Sequence, residues 1–171
     1  MTKAEFDRLL EKLGQLPNEL TRLVSGLPHS DVCRRARPGD FSLLESVCHL
    51  RDIDTEGYCV RISRILKEDK PALPDIDGGR MAIERNYNNQ NFAEALEAFT
   101  AARLEIVALL RSIRLDELDR GATLDGMGNI TLAKLLLLMR EHDESHWQEM
   151  REMVTALSSA SADAVDAQSC I

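Results

Sequence analysis

At 171 residues, 44% hydrophobic and 29% charged, the chain has the balance of a soluble globular protein and can close one core. A formal charge of −8, with no basic stripe and no run of interleaved aromatics, argues against nucleic acid as a partner. The longest apolar run, Leu135 to Met139, falls far short of the ~20 residues that span a bilayer. No membrane contact is expected. The four cysteines (Cys33, Cys48, Cys59 and Cys170) form no CxxC pair and follow no secretory signal, so the chain reads as cytoplasmic with reduced thiols.

Thr2 and Glu5 stand in capping-box spacing before the apolar residues Phe6, Leu9, Leu10, Leu13, Leu16, Leu20 and Leu23. Gly14 and Pro17 fall inside this segment and predict a kink or a restart. After a polar connection over 28–41, a second capping box from Ser42 to Glu45 starts a helix to about Lys67, which Pro71 and Pro74 end. Asp77-Gly78-Gly79 marks a turn, and 80–90 has room for a short helix. Asn91 caps a third long helix of clear period: Phe92, Leu96, Phe99, Arg103, Ile106, Leu110 and Ile113.

Residues 119–130 read as a Gly-rich loop, and Thr131 opens the fourth helix. Its stripe runs Leu132, Leu135, Met139, His142, His146, Met150, Met153 and Leu157. From about Ser158 the chain is small, polar and without period, and disorder is expected there. The fold class is therefore all-α. Residues 1–157 form a four-helix bundle, with a link of about two dozen residues crossing over between helices 2 and 3. A sheet is not expected, because no segments alternate at period two.

His142 and His146 lie one turn apart in a stripe that faces a core, and a polar ring taken out of water needs a partner. His49 sits at the edge of the second helix's apolar arc, beside Ile53 and Val60. Three neutral imidazoles from two helices make a half-open coordination shell that leaves room for water or substrate. A lone histidine on such a face is ordinarily a satisfied core residue; three together favour a metal. His29, in the polar connection, reads as solvated.

The segment Phe41 to Asp52, with Ser42, Glu45 and His49-Leu50-Arg51-Asp52, resembles a signature of the DinB/YfiT-like superfamily of bacterial metal-binding four-helix bundles. Glu84 to Asn88 and Gly128 to Leu132 followed by His142 to His146 resemble its other landmarks, in order, over about residues 2–157. The resemblance implies a divalent ion on His49, His142 and His146, and a homodimer. Phe41 departs from the family's usual Trp, which should alter packing and leave the metal untouched. Members include thiol S-transferases that use low-molecular-weight thiols, a maleylpyruvate isomerase, and proteins classed as metal-dependent hydrolases.

Asp52 and Glu56 follow His49 at i+3 and i+7, where they could orient a histidine or act as a general base. Glu149 lies near the His142 direction, and Asp143 points roughly a right angle away. Arg103, the one charge in the third helix's stripe, could clamp a substrate carboxylate or bridge to Glu84 or Asp52. Tyr87 reads as a packed ring with its oxygen in water, and Cys48 and Cys59 as core. No nucleophile elbow, Walker loop or dinucleotide fingerprint is present. The leading expectation is a metal-dependent enzyme acting on a small molecule, with Zn or Ni ahead of Fe or Mn, activating water or a low-molecular-weight thiol. The alternatives are a non-catalytic metal-binding bundle and a small-ligand binding module.

Overall fold

The computed structural model describes residues 1–168, with side chains described as far as Ser158. Helix α1 (Lys3–Leu23) opens on the Thr2/Glu5 capping box and runs as one helix through Gly14 and Pro17, without the restart that was one of the two expectations there. A proline leaves the carbonyl four residues earlier without its helical donor. Here that carbonyl, of Leu13, accepts a hydrogen bond from Arg103 Nη1 at 3.2 Å. The missing bond is replaced from a neighbouring helix.

After the short α2 (His29–Val32), the Ser42/Glu45 capping box starts α3 (Leu43–Asp52). A single π-helical turn, Ile53–Tyr58, then joins it to α4 (Cys59–Lys67), with Cys59 N–H donating to the Asp54 carbonyl five residues back. This turn was not foreseen, and it moves α4 by one residue. At 3.6 residues per turn Val60 would fall within about 20° of His49, but the extra residue puts Arg61 there instead. Val60 is accordingly 46% exposed.

The crossover contains strand β1 (Ala72–Leu73), helix α5 (Gly78–Glu84) and a 3-10 turn, Tyr87–Asn89. Helix α6 (Phe92–Ser112) follows, capped by Asn91. The segment expected as a loop holds β2 (Gly121–Leu124) and β3 (Gly128–Thr131), an antiparallel hairpin whose first strand pairs in parallel with β1. The expectation of no sheet is thus corrected. Strands of two to four residues are too short for alternation to register, and the one local sign was Asp125-Gly126 at the turn. Helix α7 starts at Leu132, with Thr131 Oγ1 accepting from Lys134 N–H at 3.2 Å. It continues to Gln168, beyond the end of its apolar stripe at Leu157; the expected disorder from Ser158 falls largely on side chains outside the described residues.

The long helices α1, α3–α4, α6 and α7 enclose two apolar clusters. One gathers Phe6, Leu13, Ile62, Ile106 and Met139, and the other Leu20, Val47, Phe99 and Met150. Between them each helix contributes to a polar layer: the Leu13 carbonyl from α1, Arg103 from α6, Asp143 and two histidines from α7, and His49 from α3.

Candidate metal centre

His49, His142 and His146 are the group of potential ligands that converges among the described residues, each offering one nitrogen within 4.8 Å of the others. His49 Nε2 lies 3.0 Å from His142 Nε2. Two metal–nitrogen bonds of about 2.0–2.1 Å meeting at 90–109° place their nitrogens about 2.8–3.4 Å apart, so this pair already has the spacing of donors on one ion. The His146 nitrogen, within 4.8 Å of both, needs to approach by up to about 1.4 Å to reach the same spacing. The i, i+4 spacing on α7 sets His142 and His146 at 4.6 Å between ring centroids, and His49 closes the group at 4.8 Å and 5.2 Å.

Burial holds all three rings in the neutral form that a ligand requires. It pushes His49 down to about 4, aided by the nearby His146, and His142 down to about 3. His146 is also lowered by burial, with Glu149 opposing. Nδ1 of each ring is buried without a hydrogen bond. Three imidazoles, His49 buried and His142 and His146 half-buried, with so few protein partners and two of them at donor–donor spacing, fit a divalent ion better than a side-chain hydrogen-bond network.

Glu149 Oε2 stands 3.1 Å from His146 Nδ1, at ion-pair distance though out of line for a hydrogen bond. The Phe41 ring packs 5.5 Å from His49, and Tyr58 meets His142 edge-on at 6.1 Å. Gly78, first residue of α5, closes over His49 so tightly that an added Cβ would sit 2.6 Å from its Nδ1. A cavity of about 270 Å³ borders His49 and His142, walled by Tyr58, Ile76, Leu124 and Leu138 and edged by Arg61. A larger hollow of about 470 Å³ lies between α1 and α7, lined by Lys12, Glu19, Arg140 and Trp147, and no histidine reaches it.

The other candidates lie elsewhere in the network. Arg103 is fully buried and uses every N–H it has: Nε and Nη2 to Asp54, Nη1 and Nη2 to Asp143, and Nη1 also to the Leu13 carbonyl. It has no donor left for a substrate, which corrects the expected clamp; it does bridge carboxylates between helices, but Asp54 and Asp143 rather than Glu84 or Asp52. Burial pushes Asp54 up to about 6, with Asp143 adding to it, and raises Asp143, Arg103 opposing in both cases.

Asp52 accepts from Arg51 Nε at 2.6 Å, Arg85 Nη1 at 2.7 Å and the Tyr87 hydroxyl at 2.7 Å. Glu56 is held by Arg85 at 2.6 and 2.9 Å. Neither carboxylate bonds a histidine; they tie the end of α3 and the π turn to the crossover. Tyr87 is a packed ring whose hydroxyl is bonded inside the protein, not to water. Cys48 is buried beside Gln90 and Cys59 is half-buried, while exposed His29 meets the Cys33 thiol. Asp54, Gly78 and Arg61 escaped the sequence. Asp54 and Arg61 are turned inward by or beyond the π turn, and Gly78 is brought to His49 by the crossover.

No helix of the described residues is long and apolar enough to cross a membrane. In fold the chain is similar to YfiT from Bacillus subtilis, described as "a probable metal-dependent hydrolase with an unusual four-helix bundle topology", with a TM-score of 0.85. The two are 22% identical, over 92% of this chain and 90% of that one. In sequence it is similar to proteins of Bacillus cereus and Bacillus anthracis named "Putative metal-dependent hydrolase", at 22% identity over 85% of this chain and 83% of theirs. The family described as the DinB superfamily matches residues 12–150, most of the chain, and to that superfamily this protein belongs.

Proposed function

We propose that this protein is a metal-dependent enzyme, with hydrolysis of a small molecule as its reaction and His49, His142 and His146 as the ligands of a divalent ion. The observation that carries the reading is the pair of Nε2 atoms 3.0 Å apart on two separate helices, with the third imidazole beside them. A bound divalent ion of the Zn or Ni kind would supply a Lewis acid that lowers the pKa of water or a thiol. The protein's own part is to keep three rings neutral and aimed. Burial suppresses their protonation, and Glu149, 3.1 Å from His146 Nδ1, favours the tautomer with its proton on Nδ1 and a free lone pair on Nε2. Tyr58, Leu124 and Leu138 give an apolar wall to the side where a substrate would lie.

The names of the similar proteins favour hydrolysis over thiol transfer. The test begins with elemental analysis of native protein and of two variants. His146→Gln is expected to lose nearly all bound metal and His29→Gln none; equal loss from both would overturn the ligand assignment. A screen of esters, amides and electrophiles with water and low-molecular-weight thiols as acceptors then separates the two reactions.

A further inference from the structure

We propose that the cavity beside the histidines takes a small molecule with an apolar body and a carboxylate group, and that Arg61 binds the carboxylate. On the reading above, such a molecule presents its reacting group to His49 and His142. The cavity's walls are mostly apolar, its volume of about 270 Å³ suits a compact molecule, and the histidines occupy one side. Arg61 is the cation that lines it and Asp75 the carboxylate, with most of the Asp75 side chain in solvent.

Arg61 differs from the other buried and half-buried arginines near the site. Arg51, Arg85 and Arg103 each hold a carboxylate at 2.6–2.7 Å. The Arg61 side chain is only 12% exposed, yet among the described residues its one hydrogen bond goes from Nη2 to the Pro74 carbonyl at 2.7 Å. Asp75 stands off at 3.8 Å with its own side chain 80% exposed. Nε, Nη1 and the second N–H of Nη2 are left to bind, and that second N–H completes a fork with one of the other two. A guanidinium anchored by one nitrogen and open at the others is built for two-pronged capture of a planar anion. The π turn has the same consequence, since it rotates Arg61 rather than Val60 towards His49.

The experiment titrates phenylacetate and phenylacetamide, matched in shape and differing in charge, into zinc-loaded and chelated protein. Binding is followed by calorimetry and by the Arg61 Nε–H resonance. Phenylacetate is expected to bind at least ten times more tightly than phenylacetamide in both metal states, and to shift the Arg61 resonance where the amide does not. Arg61→Gln should erase the preference while metal content stays that of the parent. A preference that survives Arg61→Gln, or one that vanishes on chelation and so belongs to the ion, overturns the proposal. So does equal binding of the two probes by the parent with a silent Arg61 resonance, a result that needs no variant to fold. Because the chelated protein is measured directly, failure of the metal reading leaves this test intact.

Discussion

Arg103 donates to the carbonyl of Leu13, the group that Pro17 leaves without a partner in α1. One side chain thus mends a neighbouring helix while holding Asp54 and Asp143, and its guanidinium lies 5.0 Å from the Phe99 ring. It is the hub of the polar layer that separates the two apolar clusters.

Replacing Arg103 by Met keeps much of the volume and removes every one of these bonds. Two buried carboxylates and a carbonyl would lose their donor, a defect of about 3–5 kcal/mol. At roughly 2–4 °C per kcal/mol for a domain of this size, Arg103→Met should melt about 6–20 °C below the parent in a calorimetric scan. Arg103→Met combined with Asp54→Asn and Asp143→Asn should recover part of the loss. A single variant melting with the parent would show that the hub contributes nothing.

Two neighbouring aspartates should show opposite pH dependence. Asp52 is buried, which alone would raise its pKa, but the bonds from Arg51, Tyr87 and Arg85 outweigh burial and hold it below the ordinary value. A lowered folded pKa contributes stability above the unfolded value near 3.9 that is lost as pH falls through the folded one. Asp52→Asn should therefore lower the melting temperature at pH 7, and the gap should close below about pH 4. Asp54 is raised to about 6 by burial, so the stability its proton confers is present below about pH 4 and lost as pH rises through 6. Asp54→Asn should gain on the parent between those values, as melting curves from pH 3.5 to 7.5 would reveal.

Much of this arrangement was written in local pattern. His142 and His146 stood out because two imidazoles at i and i+4 interrupt an apolar stripe, and Arg103 because it was the only charge in another. The capping residues Thr2, Ser42, Asn91 and Thr131 marked the long helices correctly. What escaped depends on chain geometry that composition does not encode. The π turn shifts the register after Ile53, so Arg61 replaces Val60 on the arc, and the partners of Arg103 are an aspartate inside that turn and one set off from the histidine stripe. That Pro17 leaves the helix unbroken was hidden for a related reason: its repair comes from α6, distant in sequence.

Gly78 is the position where the crossover and the metal centre meet. An alanine Cβ there would press on the His49 ring, 2.6 Å from Nδ1, so ring or helix must move. The ring lies on long α3, whereas α5 is seven residues at the edge of the fold, so α5 should yield in part and His49 should turn in part. Gly78→Ala is expected to weaken zinc affinity about tenfold, the range seen when groups supporting a ligand are disturbed, with little loss of helical signal. Competition with a chromophoric chelator measures the first and circular dichroism the second; unchanged affinity would mean that α5 absorbs the whole displacement.

Chelation tests whether the ion acts on chemistry or on the fold. The two apolar clusters close above and below the polar layer, and the charged groups of that layer are joined to one another through Arg103. The histidines are kept neutral by burial, so losing an ion leaves no buried charge behind. Removing metal should therefore subtract only the ion's mass-action contribution, about 2.7 kcal/mol where free metal had stood at a hundred times its Kd. The protein should melt several degrees lower and keep its helical circular dichroism at 25 °C, while turnover of any substrate found disappears. Collapse of the helical signal on chelation at 25 °C would instead mark the ion as a folding element, as in small domains that have no core without their metal.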